Sequence, residues 1–186
     1  MSVLRVEAST PLCQLQDAGR FGVRQLGVTQ GGALDWVSAR WANWLLGNPL
    51  TAAVVEITLG NADFECSRDA TLALTGADLD ARLDDQPLAP WRSFEVRKGQ
   101  RLQFTQPLLG ARAYLAAPGG FAAPQVLGSC ATVVREGLGG LDGLGTALVK
   151  GDCLSYGGVA PALRTVPEAL RPVLHGNRLL DLVMGA

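Results

Sequence analysis

Short apolar runs, each bounded by a turn, constrain the fold more than any other feature of this sequence. The turn Gly60-Asn61 separates a run at 54–59 from one at 62–66, in which Asp63 and Glu65 alternate with apolar residues. Further runs of this kind cover residues 4–8, 71–75, 81–83, 93–96, 101–104, 111–116 and 153–156. Many short strands with turns at roughly even spacing are typical of antiparallel sandwiches and barrels. The sequence therefore predicts a mainly-β fold, an antiparallel β-barrel.

One helix, expected at residues 36–46, interrupts this pattern. Asp35 precedes it as an N-cap whose carboxylate can accept from the free N–H groups of the first turn, and Gly47 follows it as a C′ residue. The helix is nearly apolar all round, so it is predicted to be buried on most sides, with its tryptophans in the core. Arg40 and Asn43 lie on one stripe at helical spacing, where they either line a site or satisfy loop carbonyls.

The composition excludes several classes of function. The chain has 186 residues, 48% of them hydrophobic, and a net charge of −1, which gives no argument for nucleic acid or an anionic membrane as a partner. No apolar run is long enough to span a bilayer and the N-terminus lacks a signal-peptide profile, so a soluble cytoplasmic protein is expected. The four cysteines form no C-x-x-C pair and the only histidine is His175, so no metal site is expected.

Two glycine-rich stretches are predicted to form loops. The first, residues 16–35, places Asp17 and Arg20 beside glycines and leads into the helix. The second, residues 127–151, contains five glycines between positions 137 and 145 and is expected to lie against the barrel mouth. It lacks the G-K-[ST] ending of a P-loop and the G-x-S-x-G pattern of a nucleophile elbow.

Several motifs occur in fixed order across residues 3–158. They are Leu15-Gln16-Asp17-x-Gly19-Arg20-x-Gly22, Leu26-Gly27-Val28-x-x-Gly31-Gly32-Ala33-x-Asp35, Ala42-Asn43-x-Leu45-x-Gly47-Asn48-Pro49, Glu56-Ile57-Thr58-Leu59-Gly60, Leu74-Thr75-Gly76-Ala77-Asp78, Arg112-Ala113-Tyr114-Leu115-Ala116, Pro118-Gly119-Gly120-Phe121, Leu127-Gly128-Ser129 and Gly137-Leu138-Gly139-Gly140. Together they resemble the N-terminal half of the biotin-dependent carboxyltransferase / allophanate hydrolase subunit 2 family.

The resemblance implies a cyclophilin-like β-barrel that works with a cognate partner subunit. The family includes the C subunit of the bacterial ATP-dependent 5-oxoprolinase, which acts with two other subunits to open 5-oxoproline to glutamate. It also includes urea carboxylase domains, which transfer a carboxyl group between biotin and urea. We therefore expect a subunit of a multi-component ATP-dependent amide hydrolase or of a biotin-dependent carboxyl transferase, with ATP or biotin reaching it through the complex.

The same resemblance leaves two alternatives open. One relative antagonises an inhibitor of a sporulation kinase, so the chain could be a non-catalytic regulatory binding protein, and a fold alone does not decide among these roles. The other alternative is an incomplete, inactive family member. Family members are usually longer, and residues 1–158 are expected to form the carboxyltransferase/hydrolase-subunit domain, with 159–186 as a linker and the start of a second half.

Asp17 and Arg20 are the predicted catalytic pair for a small amide or carboxylate substrate. A guanidinium can bind a carboxylate through two hydrogen bonds, and Asp17 could orient it or take part in proton transfer. The alternative is a salt bridge that holds the loop. Glu56 and Thr58 either complete the site wall or bond to the glycine loops. The predicted substrate-binding residues are Gln16, Gln30, Asn43, Glu56, Thr58, Thr75, Asp78, Gly119, Gly120 and Arg135.

Overall fold

The computed structural model describes residues 2–172, in which eleven strands and one α-helix follow one another along the chain. The strands are β1 (Ser2–Ala8), β2 (Cys13–Gln16), β3 (Val54–Thr58), β4 (Ala62–Cys66), β5 (Ala70–Asp78), β6 (Ala81–Leu83), β7 (Gln86–Pro87), β8 (Arg92–Val96), β9 (Arg101–Phe104), β10 (Leu109–Ala116) and β11 (Cys153–Tyr156). The helix, α1, spans Trp36–Leu45. The prediction of a mainly-β fold with one embedded helix is therefore confirmed.

The strands form two antiparallel sheets, and neither closes into the predicted barrel within residues 2–172. The first sheet has the order β11-β1-β4-β9-β6-β7 and the second the order β2-β3-β10-β5-β8. Loops take the place of strands at the edge of the second sheet, where Thr132 N donates to Leu15 O (3.0 Å) and Leu148 N to Cys13 O (2.9 Å) along β2. A covered edge satisfies its backbone groups without closing the sheet.

Both sheets contribute to one main core. Leu4, Phe64 and Leu102 of the first sheet and Val55 and Leu115 of the second are fully buried in the same apolar cluster. Apolar and polar residues alternate along these strands, and because successive side chains of a strand point to opposite faces, the apolar ones lie on the inner faces of the two sheets.

The helix packs against the outer face of the second sheet through one side only. Its buried apolar residues are Ala39, Ala42 and Leu45. The prediction that it is buried on most sides is wrong, because Trp36 and Trp44 are 56% and 42% exposed. These two residues and Arg40 recur at intervals of four along the helix, so they share the face that points away from the sheet.

The predicted helix caps are present. The Asp35 carboxylate accepts from Ser38 N at 3.0 Å, which satisfies an orphan amide of the first turn. Gly47 has φ of 68°, and its N–H donates to Trp44 O at 3.1 Å. The helix is thus fixed at both ends by residues outside it.

Residues 159–172 run back along β8. Ser93 N donates to Arg164 O at 2.9 Å, Val166 N donates to Trp91 O at 2.9 Å, and Val166 is fully buried. The predicted second half would begin in residues 173–186, which lie outside the described part of the chain. Across residues 2–172, no helix is long and apolar enough to cross a membrane.

Substitution of Gly119 tests the packing of the loop after β10. Its φ is 78°, and a methyl group there would lie 2.0 Å from Gly157 O. Gly99 provides a matched control, because its φ is 84° and a methyl group there would meet nothing within 4 Å. We expect Gly99→Ala to lower the free energy of unfolding by about 1–2 kcal/mol and Gly119→Ala to lower it by about 3 kcal/mol or more. Urea denaturation measures both losses, and equal losses would contradict the described packing.

Candidate functional site

The buried guanidinium of Arg20 joins the two glycine-rich loops. Arg20 is fully buried, its Nε donates to Val126 O at 3.0 Å, and its Nη2 donates to Ser129 O at 3.3 Å. Its backbone N–H donates to Gln30 O at 2.7 Å, so the residue also ties its own loop together. These bonds hold residues 126–129 against residues 20–30.

Two glycines make room for this guanidinium. A methyl group on Gly139 would lie 2.6 Å from Arg20 Nη2, and one on Gly31 would lie 3.3 Å from Arg20 Nη1. Both glycines have positive φ, 72° and 64° respectively, which other residues rarely adopt. Nη1 itself has no hydrogen-bond partner among the described residues. The side chain is therefore enclosed by glycine backbone on two sides.

Asp17 binds the same loop from another direction. Its Oδ1 accepts from Gly19 N (2.7 Å) and Ser129 Oγ (2.6 Å), and its Oδ2 accepts from Cys130 N (2.9 Å) and Cys130 Sγ (3.4 Å). Within residues 2–172 no salt bridge joins Asp17 to Arg20, so the alternative of a salt bridge that holds the loop is not formed. Burial, followed by the charge of Asp17, raises the pKa of the Cys130 thiol to about 12, so this thiol stays protonated near neutral pH.

Three further residues strengthen the contact between the loops. Gln16 Nε2 donates to Thr132 O at 3.2 Å. Glu136 accepts from Thr29 N at 3.0 Å and from the Thr29 hydroxyl, and it forms an ion pair with Arg135 at 2.9 Å. Two predicted substrate-binding residues, Gln16 and Arg135, thus belong to this loop contact, and the Arg135 side chain is otherwise exposed.

A cleft of about 280 Å³ opens beside the loop contact. Its walls are residues 17–33, one side of α1 and the segment 50–54, and its lining includes Asp17, Phe21, Gln30, Gly31, Trp36, Arg40, Asn43 and Leu50. The cleft brings together three of the predicted site residues, Asp17, Gln30 and Asn43. It is the best-defined candidate site because it adjoins the motif loops.

Arg40 also lines the cleft, and the predicted site omitted it. It is exposed, its guanidinium carbon lies 4.6 Å from the centroid of the Trp36 ring, and no acidic residue pairs with it within residues 2–172. The signal was present in the sequence, because Arg40 shares a helical stripe with Asn43. What the stripe could not show is that Arg40 points into open space while Arg20 is enclosed.

Other predicted site residues hold the helix and its flanking loops in place. Asn43 Nδ2 donates to Ala52 O at 2.9 Å, and Thr75 Oγ1 donates to Ser38 O at 2.7 Å. Glu56 accepts from Leu34 N at 2.9 Å and from the Tyr114 hydroxyl at 2.7 Å. Burial, with the nearby Glu56 charge, raises the pKa of Tyr114 above its ordinary range, so its hydroxyl remains a donor.

The remaining predicted site residues do not line the cleft. Thr58 lies near the end of β3, and Asp78 closes a turn by accepting from Asp80 N at 3.0 Å. Gly119 N donates to Asn48 Oδ1 at 2.8 Å. A methyl group on Gly120 would lie 2.9 Å from Ala52 Cβ, which places Gly120 behind the cleft wall.

Comparison with known proteins decides the family. The profile of the carboxyltransferase domain, subdomain A and B, matches residues 26–186. The chain belongs to this carboxyltransferase domain family. The match includes the second part of the first glycine-rich loop, the helix and the whole of the second glycine-rich loop.

The relatives of this carboxyltransferase domain are parts of larger enzymes. The C subunit of Escherichia coli 5-oxoprolinase is 44% identical over 171 residues, which cover 90% of this chain and 53% of that subunit. Its counterpart in Haemophilus influenzae is 37% identical over 166 residues, 84% of this chain and 53% of that protein. The crystal structure of Kluyveromyces lactis urea amidolyase superimposes with a TM-score of 0.86 at 30% identity, over 94% of this chain and 11% of that one. This carboxyltransferase domain thus spans about half the length of the two 5-oxoprolinase relatives.

Two observations concern the groups that the described residues could hold. Among residues 2–172, no group of three or more His, Cys, Asp or Glu side chains could hold a metal ion. Some amides of the glycine-rich loop already have partners, since Gly140 N donates to Cys130 O (2.9 Å) and Gly145 N to Gly139 O (2.7 Å). A phosphate cradle needs several free N–H groups, so these two amides do not contribute to one.

The Glu136 contact makes the joining of the loops dependent on pH. Hydrogen bonds from the Thr29 side chain and backbone, and then from Arg135, lower the pKa of Glu136 from 4.5 to about 2. Because the folded-state pKa is the lower one, this contribution to stability is complete above pH 4.5 and is lost as the pH falls through about 2.

We expect Glu136→Gln to reduce the loss of unfolding free energy that the wild type shows between about pH 6 and about pH 3. Urea denaturation across that range measures the slope of the unfolding free energy against pH. Glu95→Gln, which changes an exposed carboxylate on β8, is the control and should leave the slope as in the wild type. A wild-type slope in Glu136→Gln would show that the contact with Thr29 does not form.

Proposed function

We propose that this chain is a component of a multi-component ATP-dependent amide hydrolase of the 5-oxoprolinase type, acting with a cognate partner subunit. The observation that carries the proposal is the 44% identity with the C subunit of a 5-oxoprolinase across 90% of this chain. Motif residues of the first glycine-rich loop line the cleft beside α1. The substrate class is a small molecule with an amide and a carboxylate.

In this proposal Arg40 binds the substrate carboxylate. Its guanidinium is exposed at the cleft and its orientation is set by the Trp36 ring, which lowers the entropy lost on binding. Gln30 offers its Nε2 amide, because its Oε1 already accepts from Arg24 Nη2 at 2.8 Å. A cleft of about 280 Å³ suits a small metabolite better than a nucleotide.

Arg20 and Asp17 act as positioning residues in the same proposal. Two of the guanidinium nitrogens of Arg20 donate to loop carbonyls, and both carboxylate oxygens of Asp17 accept hydrogen bonds from donors in the two loops. The Arg20 side chain is fully buried, so it does not reach a ligand in the cleft. Arg20 instead affects turnover by positioning Gln30 and Gly31, which line the cleft.

ATP would be bound by another component of the complex. The cleft lining carries a single exposed guanidinium, and Gly140 N and Gly145 N of the glycine-rich loop donate to carbonyls of that loop. Phosphate chains require several cationic or N–H donors converging on one place. The described residues of the cleft therefore fit a carboxylate better than a triphosphate.

The likeness to the urea amidolyase structure supports a second candidate, transfer of a carboxyl group from biotin. In that case Arg40 would face the carboxyl group being transferred, and a biotin-carrying partner would have to reach the cleft. The two candidates differ in their second substrate, so assays with 5-oxoproline and with urea separate them.

Substitution of Arg40 tests the proposal in the reconstituted complex. We expect Arg40→Ala to raise the KM for 5-oxoproline by about tenfold or more, because a charge-assisted hydrogen bond contributes about 1.5–3 kcal/mol. Its free energy of unfolding should stay within about 0.5 kcal/mol of wild type, as for other exposed sites. Arg20→Ala should instead lower unfolding stability by about 3 kcal/mol. The measurements are steady-state kinetics of ATP-dependent 5-oxoproline hydrolysis and urea denaturation.

Arg97→Ala, which changes an exposed arginine away from the cleft, is the control for both measurements. A wild-type KM for Arg40→Ala would remove Arg40 from the substrate site. A stable complex that turns over neither 5-oxoproline nor urea would overturn the enzymatic function and favour a regulatory binding protein.

A further inference from the structure

The outward face of α1 forms an apolar groove that nothing in residues 2–172 covers. We call it the tryptophan groove; it has a volume of about 250 Å³ and is lined by Trp36, Val37, Arg40, Trp41, Trp44 and Leu50. Leu50, which closes one side, is 49% exposed. The outer face of a helix that packs on a sheet is ordinarily polar, so the exposed rings of Trp36 and Trp44, with the partly buried Trp41 beside them, indicate a binding surface.

The aromatic rings of the groove are held in fixed positions. The Trp41 and Trp44 rings pack edge to face with their centroids 5.2 Å apart. The guanidinium of Arg164 lies 5.2 Å from the Trp44 centroid, and its Nη1 donates to Trp44 O at 3.2 Å. Tryptophan and arginine dominate the energetics of protein interfaces, and rigid side chains lose little entropy on binding.

The charge of the groove selects its partner. Arg40 lies over the Trp36 ring and Arg164 over the Trp44 ring, the groove lining includes no acidic residue, and neither arginine forms a salt bridge within the described residues. A second copy of the chain docked face to face would bring guanidinium groups together, since a two-fold interface pairs like with like. A partner surface with apolar side chains and a carboxylate fits the groove better.

We propose that the tryptophan groove is the docking surface for the partner subunit, which inserts an apolar side chain between Trp41, Trp44 and Leu50 and places a carboxylate against Arg164. The inference rests on the proposed function in that it assigns the surface to that enzyme's partner. Trp36, Arg40 and Leu50 line both the groove and the cleft. The docked partner therefore forms a continuous surface with the substrate site and excludes water from its mouth.

Two variants that leave the cleft lining unchanged test this docking. The probe is the set of partner subunits encoded with this chain, and the measurement is the dissociation constant of the complex by titration calorimetry. We expect Trp44→Ala and Arg164→Glu each to weaken binding by about tenfold or more. Leu144→Ala and Arg97→Glu, which change exposed residues outside the groove, should bind as the wild type does.

The outcomes separate the docking proposal from the proposed function. Wild-type affinity in both groove variants, or no complex with the wild-type chain, would overturn the docking proposal. Self-association of the chain alone that Trp44→Ala abolishes would also overturn it, by assigning the groove to a second copy. A wild-type complex without turnover, in which the groove variants still bind weakly, would overturn the function and leave the docking surface in place.

Discussion

A buried guanidinium bonded only to carbonyl oxygens is the interaction on which the rest of the site depends. Arg20 donates to Val126 O and Ser129 O, more than 100 residues away in sequence. A buried cation without a carboxylate partner is costly, and only Nε and Nη2 of Arg20 have acceptors among the described residues, so the loss of either loop carbonyl would raise that cost. The buried guanidinium also requires glycine at positions 31 and 139, because a side chain at either position would enter the space that the guanidinium occupies.

This arrangement gives the polar residues near the cleft two tasks. Arg20 and Glu136 hold the loops together, Arg40 and Gln30 face the open volume, and Asp17 does both. Residues that hold the loops govern the shape of the cleft, and residues that face the open volume can touch what enters it. The tryptophan groove extends the open side along α1, so the proposed substrate site and the proposed docking surface share one continuous face of the molecule.

Local sequence patterns predicted the strands and the helix well, because turns and helix caps depend on residues that are close in sequence. Gly60-Asn61 ended one strand, and Asp35 and Gly47 bounded the helix within one residue. The division into two sheets was not predictable, since it depends on loops covering the edge of β2. Arg20 and Arg40 show the same limit of sequence-based prediction at the site. Arg20 lies in a glycine-rich loop and Arg40 on a polar helix stripe, and the sequence does not show that the first is enclosed and the second exposed.

Amide hydrogen exchange of the glycine-rich loop tests the central role of Arg20 most directly. Lysine keeps the charge but lacks the planar fork that places two separate nitrogens against the two carbonyls. The account predicts that Arg20→Lys speeds exchange of the amides of Ser129, Gly140 and Gly145 by roughly tenfold or more, while the β5 amides keep wild-type protection. Loop amides that exchange at the wild-type rate in Arg20→Lys would contradict it.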